Sequence, residues 1–468
     1  MPLKAKITNP TFGSRTMVTE TELHNLIYTR RADDPDDVTF TQAYGLRTIE
    51  LNRPKKLNSL NASMARKIIG RLWEWEKSDM ANIVVIQGAG RAFCAGGDVA
   101  ELAKWNQDGP EGQKRSSDYF ALEYKLDHMI AAYRKPYVAY MDGITMGGGV
   151  GLSVHAPFRI ATENTVFAMP ETTIGFFPDV GASFFLPKMD GNMGTYLALT
   201  SEQLKGVDVF YHGIATHFIH STSLPALSTR LAELRFEDYA TLEERYKLIA
   251  STIAEYNTGL PAPRPNISGR LRQLVDSCFA HETPAAILKA LEEVRTTEED
   301  PALQAWADKT IKTIRDRSPI SVAVTLRQMA VGKDWNIAQT FQREHGIASR
   351  FMAHPDFVEG VSARLIRREK GRPNWQPAQL EDVQEKDVDA FFAPPEGPEL
   401  ALLESGERAQ YREYPHAWLA LPTEAEIVDA WKGGELSTDQ VVERFLLEKD
   451  GKVGIREKVE EVLERHRR

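Results

Sequence analysis

Gly90-Arg-Ala-Phe-Cys-Ala-Gly-Gly-Asp98 and Asp142-Gly-Ile-Thr-Met-Gly-Gly-Gly-Val-Gly151 are the two stretches on which the fold prediction rests. Each follows a predicted strand and places glycine where a helix should begin. Glycine lets the backbone approach a ligand closely, and the first amides of a helix have no acceptor within it. One amide from each stretch can therefore donate to a single oxygen that becomes negative, as in an oxyanion hole. The alternative is that the glycines only allow tight packing of helix on strand.

Strands and helices alternate on both sides of these two loops. The apolar runs Ile83–Ile86 and Tyr137–Met141 predict buried strands, and Tyr119–Ala132 predicts a helix. Asn61 can cap another helix, whose apolar residues recur at intervals of three and four. Because strand, glycine turn and helix repeat in this way, the sequence predicts a mixed α/β core over residues 38–204.

The remainder of the chain has helical periodicity. Residues 205–393 are predicted to be mainly helical, and Ser318 followed by Pro319 is a typical helix start. The proline-rich stretch after Phe392 predicts a break before an appended helical module over residues 394–468. The predicted helices of this module are Thr423–Trp431, Thr438–Glu448 and Ile455–Arg468.

Residues 1–37 are predicted to form an N-terminal extension. Its first half carries Lys4, Lys6 and Arg15 and no acidic side chain before Glu20, which is weakly typical of a mitochondrial targeting segment. An extension without a targeting role is the alternative.

The composition is that of an ordinary globular protein, with 42% hydrophobic and 26% charged residues. The 57 basic and 66 acidic residues give a net charge of −9, which argues against a broad nucleic-acid-binding surface. Cys94 and Cys278 are too few for a disulfide framework and fit a reducing compartment. No apolar run reaches about 18 residues, so no membrane partner is predicted.

A third stretch, from Phe167 to Asp179, places two carboxylates among apolar residues and prolines. Glu171 and Asp179 are disfavoured in such surroundings unless they are paired. Burial raises the pKa of a carboxyl group and makes it a better base at neutral pH. The alternative is that both are ordinary loop carboxylates that accept hydrogen bonds from backbone amides.

Motifs for cofactors and metals are incomplete. Gly88-Ala-Gly90 starts like a dinucleotide-binding loop, but Phe93 occupies the place of its last glycine. His212, His217 and His220 are close in sequence, but no carboxylate or cysteine frame accompanies them. The sequence therefore predicts no metal site and no separate cofactor.

Together these stretches resemble the crotonase (enoyl-CoA hydratase/isomerase) superfamily, and most of all its 3-hydroxyisobutyryl-CoA hydrolase branch. The resemblance extends from about Val38 to Pro377, and the matching segments are Asn52–Asn58, Lys135–Val138, Gly143–His155, Phe167–Thr172, Phe177–Val180, Gly213–Phe218, Thr325–Gln328 and Asp356–Val361. It implies an α/β fold, a crotonase spiral of repeated ββα units, followed by a helical C-terminal region.

The resemblance also implies roles for particular residues. It places the oxyanion hole at the amides of Ala95 and Gly148, the catalytic glutamate at Glu171 and a second catalytic carboxylate at Asp179. Substrate-binding roles are implied for five further residues: Glu123, at the acyl end of the substrate, and Gly96, Gly97, Asp98 and Gly147.

The activity that the resemblance implies is hydrolysis of a CoA thioester. A hydratase of this superfamily has another glutamate at the position of Gly151, and its absence, with Asp179 present, favours hydrolysis over addition of water to an alkene. The implied reaction converts 3-hydroxyisobutyryl-CoA to 3-hydroxyisobutyrate and CoA in valine degradation, in the mitochondrial matrix. CoA is then part of the acyl-CoA substrate. Whether Glu171 attacks the thioester or activates water stays open.

Departures from the family pattern allow a second interpretation. The chain has Gly181-Ala-Ser183 where the family tends towards glycines, Ser362 replaces an arginine, and Arg367-Arg368 replace an Asp-Lys pair. Relatives of this type in fungal mitochondria are also components of the small subunit of the mitochondrial ribosome. In this interpretation the module over residues 394–468 docks on ribosomal proteins, and the chain has either kept or lost the hydrolase activity. The oligomeric state stays open.

Overall fold

The structure is a computed structural model, which describes residues 20–27, 33–394 and 397–467. Lys4, Lys6 and Arg15 of the predicted N-terminal extension lie outside the described residues. The first described helix, α1, spans Glu20–Ile27. Its Leu23 is buried in an apolar cluster with residues of the core.

Two sheets form the α/β core. In the described residues, strands β1 to β10 span, in chain order, Val38–Ala43, Leu46–Leu51, Ile83–Gly88, Ala92–Cys94, Tyr137–Met141, Ile144–Met146, Phe158–Ala161, Val166–Ala168, Leu204–Lys205 and His217–Phe218. The larger sheet has the order β1-β2-β3-β5-β7-β10, and all its neighbours are parallel except β1 and β2. The smaller sheet has the order β4-β6-β8-β9, with β9 antiparallel to β8.

Helices follow the strand pairs, and they are the main elements of the chain after β10. Helices α2 to α20 span, in chain order, Ala62–Lys77, Val99–Asn106, Pro110–Ala131, Gly148–Val154, Ala182–Phe185, Met193–Thr200, Val207–Tyr211, Leu224–Glu233, Leu242–Ala254, Gly269–Cys278, Pro284–Thr297, Pro301–Asp316, Pro319–Gly332, Ile337–Ala353, Pro355–Val361, Glu385–Phe392, Glu424–Trp431, Thr438–Glu448 and Ile455–Arg467. None of the described helices is long and apolar enough to cross a membrane.

Successive strand pairs alternate between the two sheets. β3 belongs to the larger sheet and β4 to the smaller one, and the same division holds for β5 with β6 and for β7 with β8. Helices α3 and α4 follow the first of these pairs, and α5 follows the second. The predicted fold class, repeated ββα units followed by a helical C-terminal region, is confirmed.

Local sequence signals explain where the helices start. The Asn61 side chain accepts a hydrogen bond from the backbone amide of Met64 and caps α2. Ser318 caps α14 in the same way, with Pro319 at the first helical position. Two boundaries differ from the sequence prediction. Helix α4 begins at Pro110 rather than Tyr119, and the larger sheet takes its last strand at His217–Phe218, beyond residue 204.

The C-terminal segment after residue 397 packs against the rest of the chain. Apolar side chains of α18, α19 and α20 are buried in the same cluster as those of the core, among them Ile427, Phe445 and Val462. The Lys458 ammonium forms an ion pair with Asp190, at 2.6 Å. The segment therefore shares one apolar core with the residues before it.

Candidate active site

The two glycine loops lie side by side, as an oxyanion hole requires. Gly148 is the first residue of α5, and its amide has no backbone acceptor among the described residues. The prediction for Ala95 is wrong, because its amide donates to the carbonyl oxygen of Leu57, at 3.0 Å. An amide that is held by a backbone carbonyl is not available to a substrate oxygen.

Gly97 supplies the free amide of the first loop. Leu60 pairs with this loop on both sides of Gly97: its amide donates to Gly96 O, and its carbonyl accepts from the amide of Asp98, each at 2.8 Å. The Gly97 amide between them has no acceptor among the described residues. A methyl group on Gly148 would lie 3.4 Å from this nitrogen. Free and close to Gly148, the Gly97 amide is the candidate that replaces Ala95 as partner of the Gly148 amide in an oxyanion hole.

Asp98 holds the first loop in place. Its Oδ2 accepts from Arg53 at 2.9 Å and from Lys56 at 3.0 Å. Burial raises the pKa of Asp98, but the hydrogen bonds from Lys56 and Arg53 outweigh it and leave the pKa below its ordinary value. The carboxylate thus ties the loop to the turn after β2, and its predicted contact with substrate stays a prediction.

Two buried glutamates flank the free amides. A methyl group on Gly147 would lie 3.2 Å from Glu171 Oε1, and one on Gly148 would lie 2.3 Å from Glu123 Oε1. Glu171 Oε2 and Glu123 Oε1 are buried and have no hydrogen-bond partner among the described residues. The structure thus brings Glu171, Glu123, Gly147 and Gly148 together, as the sequence predicted.

These carboxyl groups are held in their protonated forms more readily than in water. Burial raises the pKa of Glu171 well above its ordinary value, and the charge of Asp179 raises it further. The same two causes raise the pKa of Glu123. Burial raises the pKa of Asp179 to about 7, although a hydrogen bond from Tyr124 opposes this. Because the groups lie close together, they titrate as a coupled set.

Asp179 lies on a strained turn that buried hydrogen bonds hold in place. The Tyr124 hydroxyl donates to Asp179 Oδ2 at 2.7 Å. Val180 has a φ of +54°, a left-handed conformation that is unfavourable for a β-branched residue. His155 Nε2 donates to Val180 O at 2.8 Å, and the Tyr414 hydroxyl bonds with the other ring nitrogen. Strain of this kind persists only where the surroundings impose it, and here it fixes the direction of Asp179.

The departure at Gly181-Ala-Ser183 is accommodated by a third buried glutamate. Glu344 accepts from the amides of Gly181 and Ser183, at 2.7 and 2.9 Å, and from the Ser183 hydroxyl at 2.6 Å. Gln328 Nε2 donates to Ser183 Oγ at 2.7 Å and to Pro178 O at 2.6 Å. The serine that replaces glycine therefore joins the network that holds the Asp179 turn. Burial raises the pKa of Glu344 to about 8 despite these donors.

Asp127 fills the space next to Gly151. It lies one helical turn after Glu123 on α4, it is fully buried, and neither carboxyl oxygen has a hydrogen-bond partner among the described residues. A methyl group on Gly151 would lie 2.5 Å from Asp127 Oδ2. Burial raises the pKa of Asp127 well above its ordinary value, and the charges of Glu123 and Asp179 raise it further. A carboxyl group from the facing helix thus occupies the place that a side chain at position 151 would take.

The sequence prediction missed Asp127, Glu344 and Gln328. A signal was present for the two acids, since each lies on the apolar stripe of a helix. Glu344 follows Phe341 by three residues and precedes Ala348 by four, and all three are buried. A carboxylate at such a position is uncommon and indicates a functional or paired group.

A cavity of about 720 Å³ opens beside the site. Its lining includes Asn61, Asp98, Leu102 and Tyr119, so it reaches the loop that carries Gly97.

The three histidines of the sequence analysis lie outside the lining of this cavity. His220 caps a short 3₁₀ turn, and no three potential metal ligands cluster in the described part of the chain. At another departure, Arg367 forms ion pairs on the surface with Glu359 and Glu369.

Comparison with known proteins places these residues in a family. The sequence profile described as enoyl-CoA hydratase/isomerase matches residues 46–392. The chain belongs to this family. The site lies within the matched residues, and the segment after residue 392 lies outside them.

Relatives of two kinds match most of the chain. It is 50% identical to the small ribosomal subunit protein mS47 of Neurospora crassa, over 99% of this chain and 91% of that protein. It is 39% identical to the mitochondrial 3-hydroxyisobutyryl-CoA hydrolase of Gallus gallus, over 80% of this chain and 92% of that enzyme. The crystal structure of a carnitinyl-CoA dehydratase from Mycobacterium thermoresistibile covers 79% of this chain and all of its own, with a TM-score of 0.68 and 33% identity. The predicted crotonase fold is thereby confirmed.

Substitution of Gly151 tests the contact with Asp127. We expect Gly151→Ala to destabilise the protein by overpacking and to be tolerated when Asp127→Ala is also present, with a coupling energy of about 1–3 kcal/mol. The measurement is urea unfolding of the two single variants and the double variant. Gly371→Ala, where a methyl group meets no atom within 4 Å, is the matched control and should show no coupling to Asp127→Ala. Additive effects of Gly151→Ala and Asp127→Ala would contradict the contact.

Proposed function

We propose that this chain hydrolyses the thioester of 3-hydroxyisobutyryl-CoA to 3-hydroxyisobutyrate and CoA. The observation that carries the proposal is the Glu171 carboxyl group, whose buried Oε2 has no partner among the described residues, beside the free amides of Gly97 and Gly148. An oxyanion site next to a carboxyl base suits nucleophilic attack on a thioester carbonyl. The relatives named 3-hydroxyisobutyryl-CoA hydrolase, at about 39% identity, support the choice of substrate. Their description as mitochondrial supports a location in mitochondria, for which the matrix is the proposed compartment.

The reaction begins at the carbonyl carbon. The Gly97 and Gly148 amides donate to the carbonyl oxygen and stabilise the negative charge that develops on it. In its ionised form Glu171 either takes a proton from an attacking water or attacks the carbon itself, and both routes lead to cleavage of the carbon–sulfur bond. The CoA thiolate leaves and receives a proton, and water supplies the oxygen of the product acid. Loss of one oxyanion donor typically costs about 2.7–4 kcal/mol of barrier.

Asp179 and Glu123 complete the site on the acyl side. Tyr124 and the Val180 turn fix Asp179, and in the proposed reaction its carboxylate accepts from the hydroxyl of the substrate or passes protons. Glu123 lies against Gly148, and in the proposed reaction it contacts the acyl end of the substrate. Position 151, on the same turn of backbone, has no room for a second acid because Asp127 occupies it. This arrangement supports hydrolysis rather than hydration.

The test is release of CoA thiol from 3-hydroxyisobutyryl-CoA by the wild type and by Glu171→Gln. We expect the wild type to release thiol catalytically and the variant to be slower by a factor of about 100 or more, because general-base catalysis contributes about 10²–10⁴. Asp238→Asn, an exposed carboxylate far along the chain, is the matched control and should retain the wild-type rate. A folded wild type without activity, or a Glu171→Gln variant with full activity, would contradict the proposal.

A second function, as a component of the small subunit of the mitochondrial ribosome, is favoured by one observation. The match to the mS47 protein extends over 99% of this chain, whereas the match to the hydrolase of Gallus gallus extends over 80%. The family profile ends at residue 392, so the C-terminal segment lies outside it and is included in the match to the Neurospora crassa protein. Because the segment packs against the core and leaves the carboxyl groups in place, both functions can reside in one chain.

Co-sedimentation tests this second function. The full chain should sediment with purified small subunits of mitochondrial ribosomes, and Glu171→Gln should sediment equally well because Glu171 is buried away from the surface. Absence of the full chain from the subunit fraction at low salt would contradict docking without affecting the hydrolase proposal.

A further inference from the structure

A second cavity, of about 460 Å³, lies between the family core and the C-terminal segment. Core residues of its lining come from β7 and from the turn after α8, and the opposite wall comes from residues 414–426 and from α19 and α20. It is lined by Arg159, Lys188, His212, His416, Lys449 and Lys458, among others. None of these residues belongs to the candidate active site, and three of them lie outside the residues that the family profile matches.

Arg159 is the most unusual of these cations. Its side chain is 6% exposed, and it donates to Ile214 O, Ala156 O and Gly213 O at 2.6, 2.7 and 3.4 Å. No carboxylate pairs with it among the described residues. A guanidinium is always charged, and buried charges are normally paired. The carbonyls satisfy some of its five donors but do not neutralise its charge.

Two histidines of the lining have a buried ring nitrogen without a partner in the described part of the chain. Nε2 of His212 and Nε2 of His416 are buried and have no hydrogen-bond partner among the described residues. Burial lowers the pKa of both rings well below the ordinary value. The positive charge of Arg159 lowers the pKa of His416 further. A neutral imidazole still carries one N–H donor. Each ring can therefore donate to an anion without carrying charge itself.

The acidic residues of the lining are already engaged. Asp190 accepts from Lys458 and from the amide of Glu424, at 2.6 and 2.8 Å. Glu426 accepts from Thr423 in the capping box of α18, and Glu448 accepts from Arg444 on its own helix. Lys449 has one hydrogen bond, to Trp418 O at 3.1 Å. Arg159 is thus left without an ion pair among the described residues of the cavity wall. Lys449 forms none there either, and burial lowers its pKa although the charges of Glu426 and Glu448 oppose this.

We propose that this cavity is a binding site for a small organic phosphate monoester. A phosphate group has several acceptor oxygens and a charge between −1 and −2, which matches a guanidinium, an ammonium and two imidazoles that different elements contribute to one lining. The volume exceeds that of a phosphate alone, and Tyr414 and Trp418 in the lining give an organic group an aromatic surface. The ligand contacts both the core and the C-terminal segment and therefore holds them together.

Calorimetric titration of the full chain with adenosine 5′-monophosphate tests the site, with inorganic phosphate and uncharged adenosine in parallel at constant ionic strength. We expect saturable binding of the monophosphate at one site per chain, weaker binding of inorganic phosphate and none of adenosine. His416→Phe and Lys449→Met should each weaken binding by about tenfold or more, since a hydrogen bond to a charged group contributes about 1.5–3 kcal/mol. These two variants leave the carbonyl contacts of Arg159 in place.

Lys247→Met is the matched control, because Lys247 is an exposed lysine paired with Glu243 on its own helix. It should bind the monophosphate like the wild type. No saturable binding to the wild type in the millimolar range would overturn the proposal. Equal binding to the wild type, His416→Phe and Lys449→Met would also overturn it, because the monophosphate would then occupy another place, such as the acyl-CoA site. If inorganic phosphate binds more tightly than adenosine 5′-monophosphate, the proposal of an organic ligand is excluded.

Discussion

Burial of several carboxyl groups without a cation beside them is the constraint on which the rest of this structure depends. Glu123, Asp127, Glu171 and Asp179 are at most 5% exposed, and in the described part of the chain none of them has an ion pair. Removing an ionised carboxylate from water costs several kcal/mol, so burial favours the protonated forms of these groups and raises their pKa above the ordinary values. A fold can keep them buried only if its surrounding elements are fixed by other contacts. The two sheets, the Glu344 network and the packed C-terminal helices supply those contacts.

Close approach of two backbone segments is the second requirement of the site. Helix α5 begins so near the loop before α3 that a methyl group on Gly149 would lie 2.1 Å from Cys94 O. Side chains are excluded from this contact, and the amides of Gly97 and Gly148 are exposed to the site because no side chain covers them. The glycines that determine the fold are therefore the same residues that create the donors. The carboxyl groups then lie against the glycines, where their acidity depends on the exclusion of water.

The features that can be predicted from the sequence are those that a local pattern of residues determines. Alternating strands, glycine turns and capped helices predict the α/β core, and Glu171 and Asp179 are recognisable because they lie in an apolar stretch. The choice between Ala95 and Gly97 was not accessible, because it depends on which amide pairs with Leu57, a residue from a turn far earlier in the chain. Glu344 lies on the apolar stripe of α15, which marks it as unusual, but its partners Gly181 and Ser183 depend on how α15 packs on the core. The packing of the C-terminal helices into the common core is also a property of tertiary contacts and not of helical periodicity.

The central claim, that burial raises the pKa of the site carboxyl groups, is tested most directly by the pH dependence of stability in wild type and Asp179→Asn. The unfolded chain releases the Asp179 proton near pH 4, and the folded chain keeps it up to about pH 7. At Asp179 the folded state thus binds more protons in this window, and the contribution of this group to the free energy of unfolding falls as pH rises. Buried histidines contribute equally to both proteins and cancel in the difference. The stability of Asp179→Asn relative to wild type should therefore increase from about pH 4 to about pH 7 and stay constant above it. A difference that does not change with pH, or that decreases over this range, would contradict the account.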